Sequence, residues 1–537
     1  MATLQEQIVP KGHSLHYFRS DPRLATPVAE MADAADQLAS AFKGIYRNRR
    51  LFMVNSTGKG GGVAEMIPSR LQMIRQFGIE THWLVLNPGP SDASFFDFTK
   101  RLHNLIHDNP ADGDNLQISL KERATYERVS QEVATLLAKR VCGDDVVIVH
   151  DPQALGISTF LRLLVHEIII IFRCHIGLDK STPATRAAWN FLKPFSKDFN
   201  AAVFSAAEYI PGFMAGKSVV IPPGIDPTDD KNRELSAVRL MSILVAAGFV
   251  SKVEGSHQTC YPVWDVGAQR LQKNGMLGPA STPIDFGFMF RPIISQISRW
   301  DKLKGWLPLL RAFVILKRHR QYYFEKKTTG KSTDSYHGCR LKHVGLVLAG
   351  PNPQAIQDDP EGQLVFEQLR EEYLQLEDDI QSDIAIITLP MESRKHNALM
   401  VNAIHCISSV VVQNSKQEGF GLTCTEAMLK GVAVIGTMAC GIRHQIINGV
   451  HGRLVHDPEN IEEIADLMND MLANEKTAER LGSKARRRVL KEFTVFGQVT
   501  RWLELFHRLL FEAKSTEMSE DGAGESLDDD NESICLD

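Results

Sequence analysis

The chain has little thiol chemistry to offer. Eight cysteines are scattered over 537 residues, at positions 142, 174, 260, 339, 406, 424, 440 and 535. None forms a Cys-x-x-Cys pair and the spacing follows no framework. That argues against a disulfide-stapled scaffold and against a zinc site, and fits reduced thiols in the cytosol. Long hydrophobic runs are missing too. The longest, five residues as in Ile168 to Phe172, have the length of a buried strand, far short of the ~20 residues a membrane span needs. The opening MATLQEQIVPKGHSLHYF contains no apolar core of a secretory signal. Net charge is only −5, which gives no general reason to expect nucleic acid. The expectation is a cytoplasmic chain with no membrane span and no nucleic-acid partner.

What charge there is lies unevenly. Glu517 to Asp537 carries nine acidic and no basic residues, so −9 of the total sits in the tail and the remainder is about +4. Such a stretch reads as a disordered, solvating end. Apolar residues make up 43% and charged residues 23%, as in an ordinary globular protein.

Organisation is carried by alternation. RLFMVNST reads as a strand, GKGGG as a turn, VAEMIPSRLQMIRQFG as a helix interrupted early by Pro68, and IETHWLVL as a strand. DVVIVHDP, EIIIIFRCH, AAVFS and SVVIPPG follow, with helical stretches between them. A second series starts near residue 290 with IISQISRW, HVGLVLAGP, DIAIITLP, SVVVQNS and VAVIGT. Nearly continuous β-branched strands alternating with helices predict parallel, doubly wound sheets. The expected fold class is α/β with two Rossmann-like domains facing a cleft.

The predicted boundaries are an N-terminal extension (1–48), a first domain (49–231), a linker or insertion (232–284) and a second domain (285–493). A helix (494–513) returns to the first domain, and the acidic tail (514–537) ends the chain. The polar segment 326–342 reads as a surface loop.

Ligands of open parallel sheets sit at the carboxyl ends of strands. Gly60, Gly61 and Gly62 fall between a strand and a helix, where glycine lets the backbone approach a ligand and a helix start offers unpaired N–H groups. The pattern is neither GxGxxG nor a Walker A loop. His150 and Asp151 end one strand; Arg173 and His175 end another. Together they suit a polyhydroxyl ligand. Arg299 and Lys304 follow the first strand of the second series. A planar fork and a point charge there suit a diphosphate leaving group, whose developing charge needs preorganised cations. In QEGFGLTCTEAM, Gly419 and Gly421 free the turn, Glu418 sits on it and Glu426 lies about one turn into the following helix. Two carboxylates so placed would hold two different sugar rings.

These residues together resemble the retaining glycosyltransferases of family 4, which have the two-domain GT-B fold. The signature is E-x7-E, here Glu418 to Glu426, with the Arg299–Lys304 spacing of the family's phosphate-binding pair; the resemblance covers roughly 49–512. VNSTGKGGGVAEM, VIVHDPQ, FRCHIGLD, VIPPGIDP with KNREL, and VVVQNSKQEGFGLTCTEAM look like the subgroup of trehalose synthases and retaining trehalose phosphorylases. The resemblance implies transfer of glucose from nucleotide-glucose or glucose 1-phosphate to glucose, or the reverse phosphorolysis. Arg299 and Lys304 would hold the leaving phosphate. Glu418, with the backbone of Gly419, Phe420 and Gly421, would hold donor-glucose hydroxyls. Glu426 would hold a ribose, and Asn397 belongs to the same donor side. The Gly60–Gly62 loop would approach phosphate and sugar. His175 would contact the donor glucose; Asp151 and Arg173 would lie near the acceptor. The leaving phosphate oxygen would help deprotonate the acceptor, so no enzymic nucleophile is required.

No metal or other cofactor is implied, the partners are the small-molecule substrates, and a homodimer is left open. GTMACGIRHQI departs from the family in placing Cys440 where a glycine usually precedes Gly441. Two alternatives stand beside this reading: a family 4 transferase with another acceptor, and a catalytically reduced sugar-binding or scaffold protein.

Overall fold

The structure is a computed structural model that describes residues 2–9, 33–38, 40, 49–58, 62–89, 92–250, 264–281, 286–327, 335–353 and 360–521. Two sheets organise it. The first contains β1 (Thr3–Glu6), β2 (Arg50–Asn55), β3 (Glu80–Asn87), β4 (Val146–His150), β5 (Ile169–Cys174), β6 (Ala201–Phe204) and β7 (Ser218–Val220), in the order β1-β3-β2-β4-β5-β6-β7. The second contains β8 (Gln269–Leu271), β9 (Leu277–Pro279), β10 (Ile293–Ile297), β11 (Gly345–Pro351), β12 (Ile384–Leu389), β13 (Val410–Val412), β14 (Ala433–Thr437) and β15 (Arg453–Val455). Its order is β15-β14-β13-β10-β11-β12-β8-β9.

The strands β4, β5, β10, β12, β13 and β14 are buried along their whole length. Helices cover both sheet faces, so apolar residues occur in unbroken runs rather than alternation. Every strand expected from the two series is present. Strand order reverses between β2 and β4 in the first sheet and between β10 and β13 in the second. A crevice opens at each reversal, and the exits of these strands are where a doubly wound fold binds ligands.

The sequence did not announce some elements. Thr3–Glu6, from the segment read as an extension, pairs antiparallel with β3 at the sheet edge. The segment 232–284, expected as a linker or insertion, belongs in part to the second domain. Its Ala237–Ala246 helix contributes Ile243 and Leu244 to the core shared with β10 and β12, and the β8–β9 hairpin extends the second sheet antiparallel to β12. Strands of three residues are too short to show a period. The segment read as a surface loop, 326–342, contains most of a helix, Ser335–His343. Pro68 does not interrupt the Gly62–Gln76 helix, which runs through it; only the one hydrogen bond to the Ala64 carbonyl is lost.

The C-terminal helix, Val495–Asp521, runs past the start of the segment read as a disordered tail; 522–537 lies outside the described residues. It packs on the first domain. Arg70 stacks on Trp502 at 5.6 Å and donates from Nε to Gln498 Oε1 at 2.9 Å, while Gln498 Nε2 donates to the Pro222 carbonyl. Among the described residues, no helix is long and apolar enough to cross a membrane.

Candidate active site

The exits of β10 and β13 meet at the reversal in the second sheet. After β10, Asp301 caps a short turn, Lys302–Lys304, by accepting from the Leu303 N–H at 2.8 Å. A buried amide network ties this turn to β13. Gln296 Nε2 donates to the Lys304 carbonyl at 2.9 Å, and Gln296 Oε1 accepts from the Asn414 N–H at 2.9 Å. Asn414 Nδ2 donates to the carbonyls of Gly305 and Pro458. Gly305 has φ +60°, and a Cβ there would fall 2.1 Å from the Asn414 carbonyl oxygen. Only glycine closes this corner.

The network delivers Lys304 Nζ to Glu418 Oε2 at 2.6 Å, and the same oxygen accepts from Ser415 Oγ at 3.2 Å. Both partners are largely enclosed, with 13% and 16% of their side chains exposed. Arg299 differs. Its side chain is 59% exposed, and its ion pair with Asp301 is long, at 3.7 Å. Two cations thus stand after one strand: one locked to a carboxylate, the other free to reach outward.

The first domain meets this turn directly. The Glu418 carbonyl accepts from the Tyr209 hydroxyl at 2.9 Å and from the Gly441 N–H at 3.1 Å. A Cβ on Gly419 would lie 2.9 Å from the His175 carbonyl oxygen, and one on Gly441 would lie 2.4 Å from Phe420 Cα. These glycines let three backbones meet. Gly421 has φ +88° and starts the Leu422–Leu429 helix that carries Glu426. The Phe420 ring is buried against Phe493, so only its backbone belongs to the turn, and its carbonyl accepts from Gln445 Nε2.

On the facing wall, β4 and β5 lie in register with His150 beside Arg173. His150 Nδ1 and His175 Nε2 are 3.1 Å apart and share a hydrogen, their rings parallel. Burial, aided by Arg70 and Arg173, holds both imidazoles well below the usual histidine range, so both are neutral. Asp151, at φ +61°, accepts from the His175 N–H at 2.7 Å. Burial raises its carboxyl to about 6, against the opposing pull of that hydrogen bond and of Arg173. His150 Nε2, His175 Nδ1 and both Arg70 Nη atoms are buried with no protein partner. Buried polar atoms are normally satisfied, so this wall is short of partners that a polyhydroxyl ligand or ordered water supplies.

Arg173 requires a correction. Expected near an acceptor, it is fully buried, and its two Nη groups donate to the Ile221 carbonyl at 2.8 Å and to Ser205 Oγ at 3.2 Å. It braces β5 against β6 and its exit loop and tunes the neighbouring imidazoles. Gly60 and Gly61 lie outside the described residues; Gly62 begins the Gly62–Gln76 helix.

The sequence reading missed two groups. His103 and His107 stand one turn apart near the end of the Ala93–Ile106 helix, ring centroids 4.7 Å apart. Burial lowers both. Arg299 further depresses His103, and His107 lies in the field of Glu418, Lys304 and Asp301. Their i, i+4 spacing in HNLIH was the available signal. The second group is Lys231, which reaches Glu65 at 3.0 Å and Glu426 at 3.6 Å. Glu426 is buried; burial raises its carboxyl, with Lys231 partly opposing. A cavity between the domains is lined by Glu65, Ser69, Lys231, Asn397, Leu422 and Glu426. Asn397 donates to the Pro390 carbonyl at 3.0 Å. Glu418 and Glu426 therefore serve different spaces, one at the charged turn and one in this cavity.

Two Rossmann-like domains with a cationic pair and a glycine-broken carboxylate turn at the cleft make this a glycosyltransferase of the GT-B class. Residues 53–211 match the family model for the trehalose synthase N-terminal domain, and 392–488 match that for glycosyl transferases group 1. A trehalose synthase of Pyrococcus horikoshii is 30% identical over 86% of this chain and 91% of its own. A trehalose phosphorylase of Pleurotus pulmonarius is 22% identical over 84% of this chain and 56% of its own. Among solved structures, an α,α-trehalose-phosphate synthase (UDP-forming) from Burkholderia xenovorans, in complex with glucose 6-phosphate, superposes with TM-score 0.60. It is 16% identical and covers 86% of this chain and all of its own length, which speaks for the fold. The chain belongs to the trehalose synthase family.

Proposed function

We propose that the protein transfers glucose from a nucleoside diphosphate glucose to glucose with retention of configuration, forming α,α-trehalose. The observation that carries this is the closed turn at the second sheet's reversal, where Lys304 is locked to Glu418 and Gly419 lies under His175. A sugar bound there has Glu418 for its hydroxyls, the neutral ring nitrogen of His175 above it, and Lys304 and Arg299 for the departing diphosphate. As the glycosidic bond lengthens, negative charge gathers on the phosphate oxygen. Lys304, already positioned, and Arg299, free to swing, stabilise it. That oxygen is the base nearest the acceptor hydroxyl. No protein carboxylate has to attack, and Glu418, committed to Lys304 and Ser415, is poorly placed to do so.

The Glu426 cavity favours a nucleoside donor over glucose 1-phosphate. It adds a buried carboxylate beside Asn397, fit for a ribose diol and superfluous for a simple phosphate. His103 and His107, held neutral within the field of Arg299 and Glu418, supply polar groups without added charge. The reading places the reaction in the cytoplasm and requires no cofactor. Incubating the protein with glucose and UDP-glucose, ADP-glucose or glucose 1-phosphate in parallel tests it. Trehalose is expected with a nucleotide donor, and trehalose only with glucose 1-phosphate assigns the protein to phosphorolysis.

A further inference from the structure

Beside the glycine-broken turn, three side chains of metal-ligand type converge from the two domains. Cys440 and His444 stand four residues apart on the Cys440–Gln445 helix of the second domain, on one face of it. Glu208 comes from the first domain, in the Ala207–Tyr209 turn. One ligand atom from each of the three lies within 4.8 Å of the others. No other such group occurs among the described residues. His444 Nε2 already meets both Glu208 oxygens, at 3.0 and 2.9 Å.

We propose that Cys440, His444 and Glu208 form a binding site for a borderline-soft divalent transition ion such as Zn2+, clamping the two domains together. Thiolate, imidazole and carboxylate form a mixed ligand set suited to such an ion, and a tetrahedral ion takes three protein ligands and leaves one position to solvent. Bonds of ~2.0–2.3 Å to one ion require these three side chains to reposition around it. Glu208 and His444 are exposed, which gives an entry path, while Cys440 is buried. Binding exchanges the thiol proton for the metal. One proton therefore leaves for solvent, and affinity falls as pH is lowered. Arg443 now pairs with Glu208 and with Asp179; the ion takes Glu208 and leaves Arg443 to Asp179.

The site adjoins the chemistry without taking part in it. Tyr209, next to Glu208, holds the Glu418 carbonyl, and Gly441, next to Cys440, donates to the same carbonyl. An ion here fixes the first domain on the donor turn. Titrating the full-length protein with Co2+ tests the proposal. The expected result is one equivalent bound with a sulfur-to-cobalt charge-transfer band in the near ultraviolet, displaced by Zn2+. Cys440→Ala abolishes the band. Glu208→Gln and His444→Gln, both at exposed positions, retain the fold and weaken binding by at least about tenfold, the smallest cost of losing even an outer partner of a metal ligand. Absence of the band, its survival in Cys440→Ala, or unchanged affinity in Glu208→Gln and His444→Gln overturns the proposal.

Discussion

The two walls of the cleft are built on opposite plans. The first domain presents His150 and His175, buried and bonded to one another, with Asp151 fixed to the His175 backbone and Arg173 bracing them from the core. The second presents charges on a turn: Lys304 enclosed against Glu418, and Arg299 59% exposed. A sugar changes little in charge before reaction, so its wall can offer neutral imidazoles, be rigid and belong to the core. A departing diphosphate gains charge during the reaction, so its wall needs cations that are positioned yet reachable by solvent and substrate. Mutations in the two walls should accordingly fail in different ways.

The largest separation is expected for Arg299→Ala. It should lower kcat by about 10²–10³-fold, as loss of a charge-stabilising donor does, while the thermal midpoint changes little, because its exposed ion pair with Asp301 contributes only ~0–1 kcal/mol. Lys304→Ala should lower kcat alike and also cost stability, because Glu418, largely enclosed, loses its cation. Arg173→Met should do the reverse of Arg299→Ala. The Ile221 carbonyl and Ser205 lose their donors inside the core, which costs about 1–3 kcal/mol for each group left unsatisfied, read as an early denaturant midpoint. A kcat loss in Arg173→Met without a stability loss would blur the distinction between the walls.

Next in size is the pH response. His103, His150 and His175 are held below the ordinary histidine value by burial, and His405 stands at about 3 for the same reason. The unfolded chain therefore takes up protons that the folded chain does not. Stability should be complete above pH ~6.5 and fall below it, each group contributing up to ~1.4 kcal/mol per pH unit. Asp151, raised to about 6, acts oppositely: its contribution is present at low pH and lost as pH climbs to about 6. Denaturant midpoints at pH 7.5, 6.5 and 5.5 should drop steeply between the last two.

Smaller still, Glu426→Ala should raise the nucleotide-sugar KM about tenfold, by losing ~1.4 kcal/mol of ribose binding, and leave reaction with glucose 1-phosphate unchanged. Tyr209→Phe removes one hydrogen bond across the domains and should cost ~1 kcal/mol.

Much of this was legible in the chain, for one physical reason. Strands covered on both faces must be apolar throughout, so β4, β5 and β10 stand out, and the first polar residues after them mark the sheet edge where ligands bind. The Gly419 and Gly421 pair was visible because no other residue permits those backbone approaches. Short edge strands, β1, β8 and β9, carry too few residues to show a period. Arg173 looked like a cleft residue because a strand-end arginine reads the same whether it faces ligand or core. The pairing of Lys231 with Glu65 and Glu426 joins three distant stretches, and only the docked domains reveal it.

The most direct test of the account follows the atoms. Glucosyl-labelled UDP-glucose, carrying carbon-13 at C1, is incubated with unlabelled glucose, and the product is read by NMR. The account predicts trehalose with one labelled anomeric carbon and both linkages α. A β linkage, or no label in any disaccharide while glucose 1-phosphate yields trehalose, would contradict it.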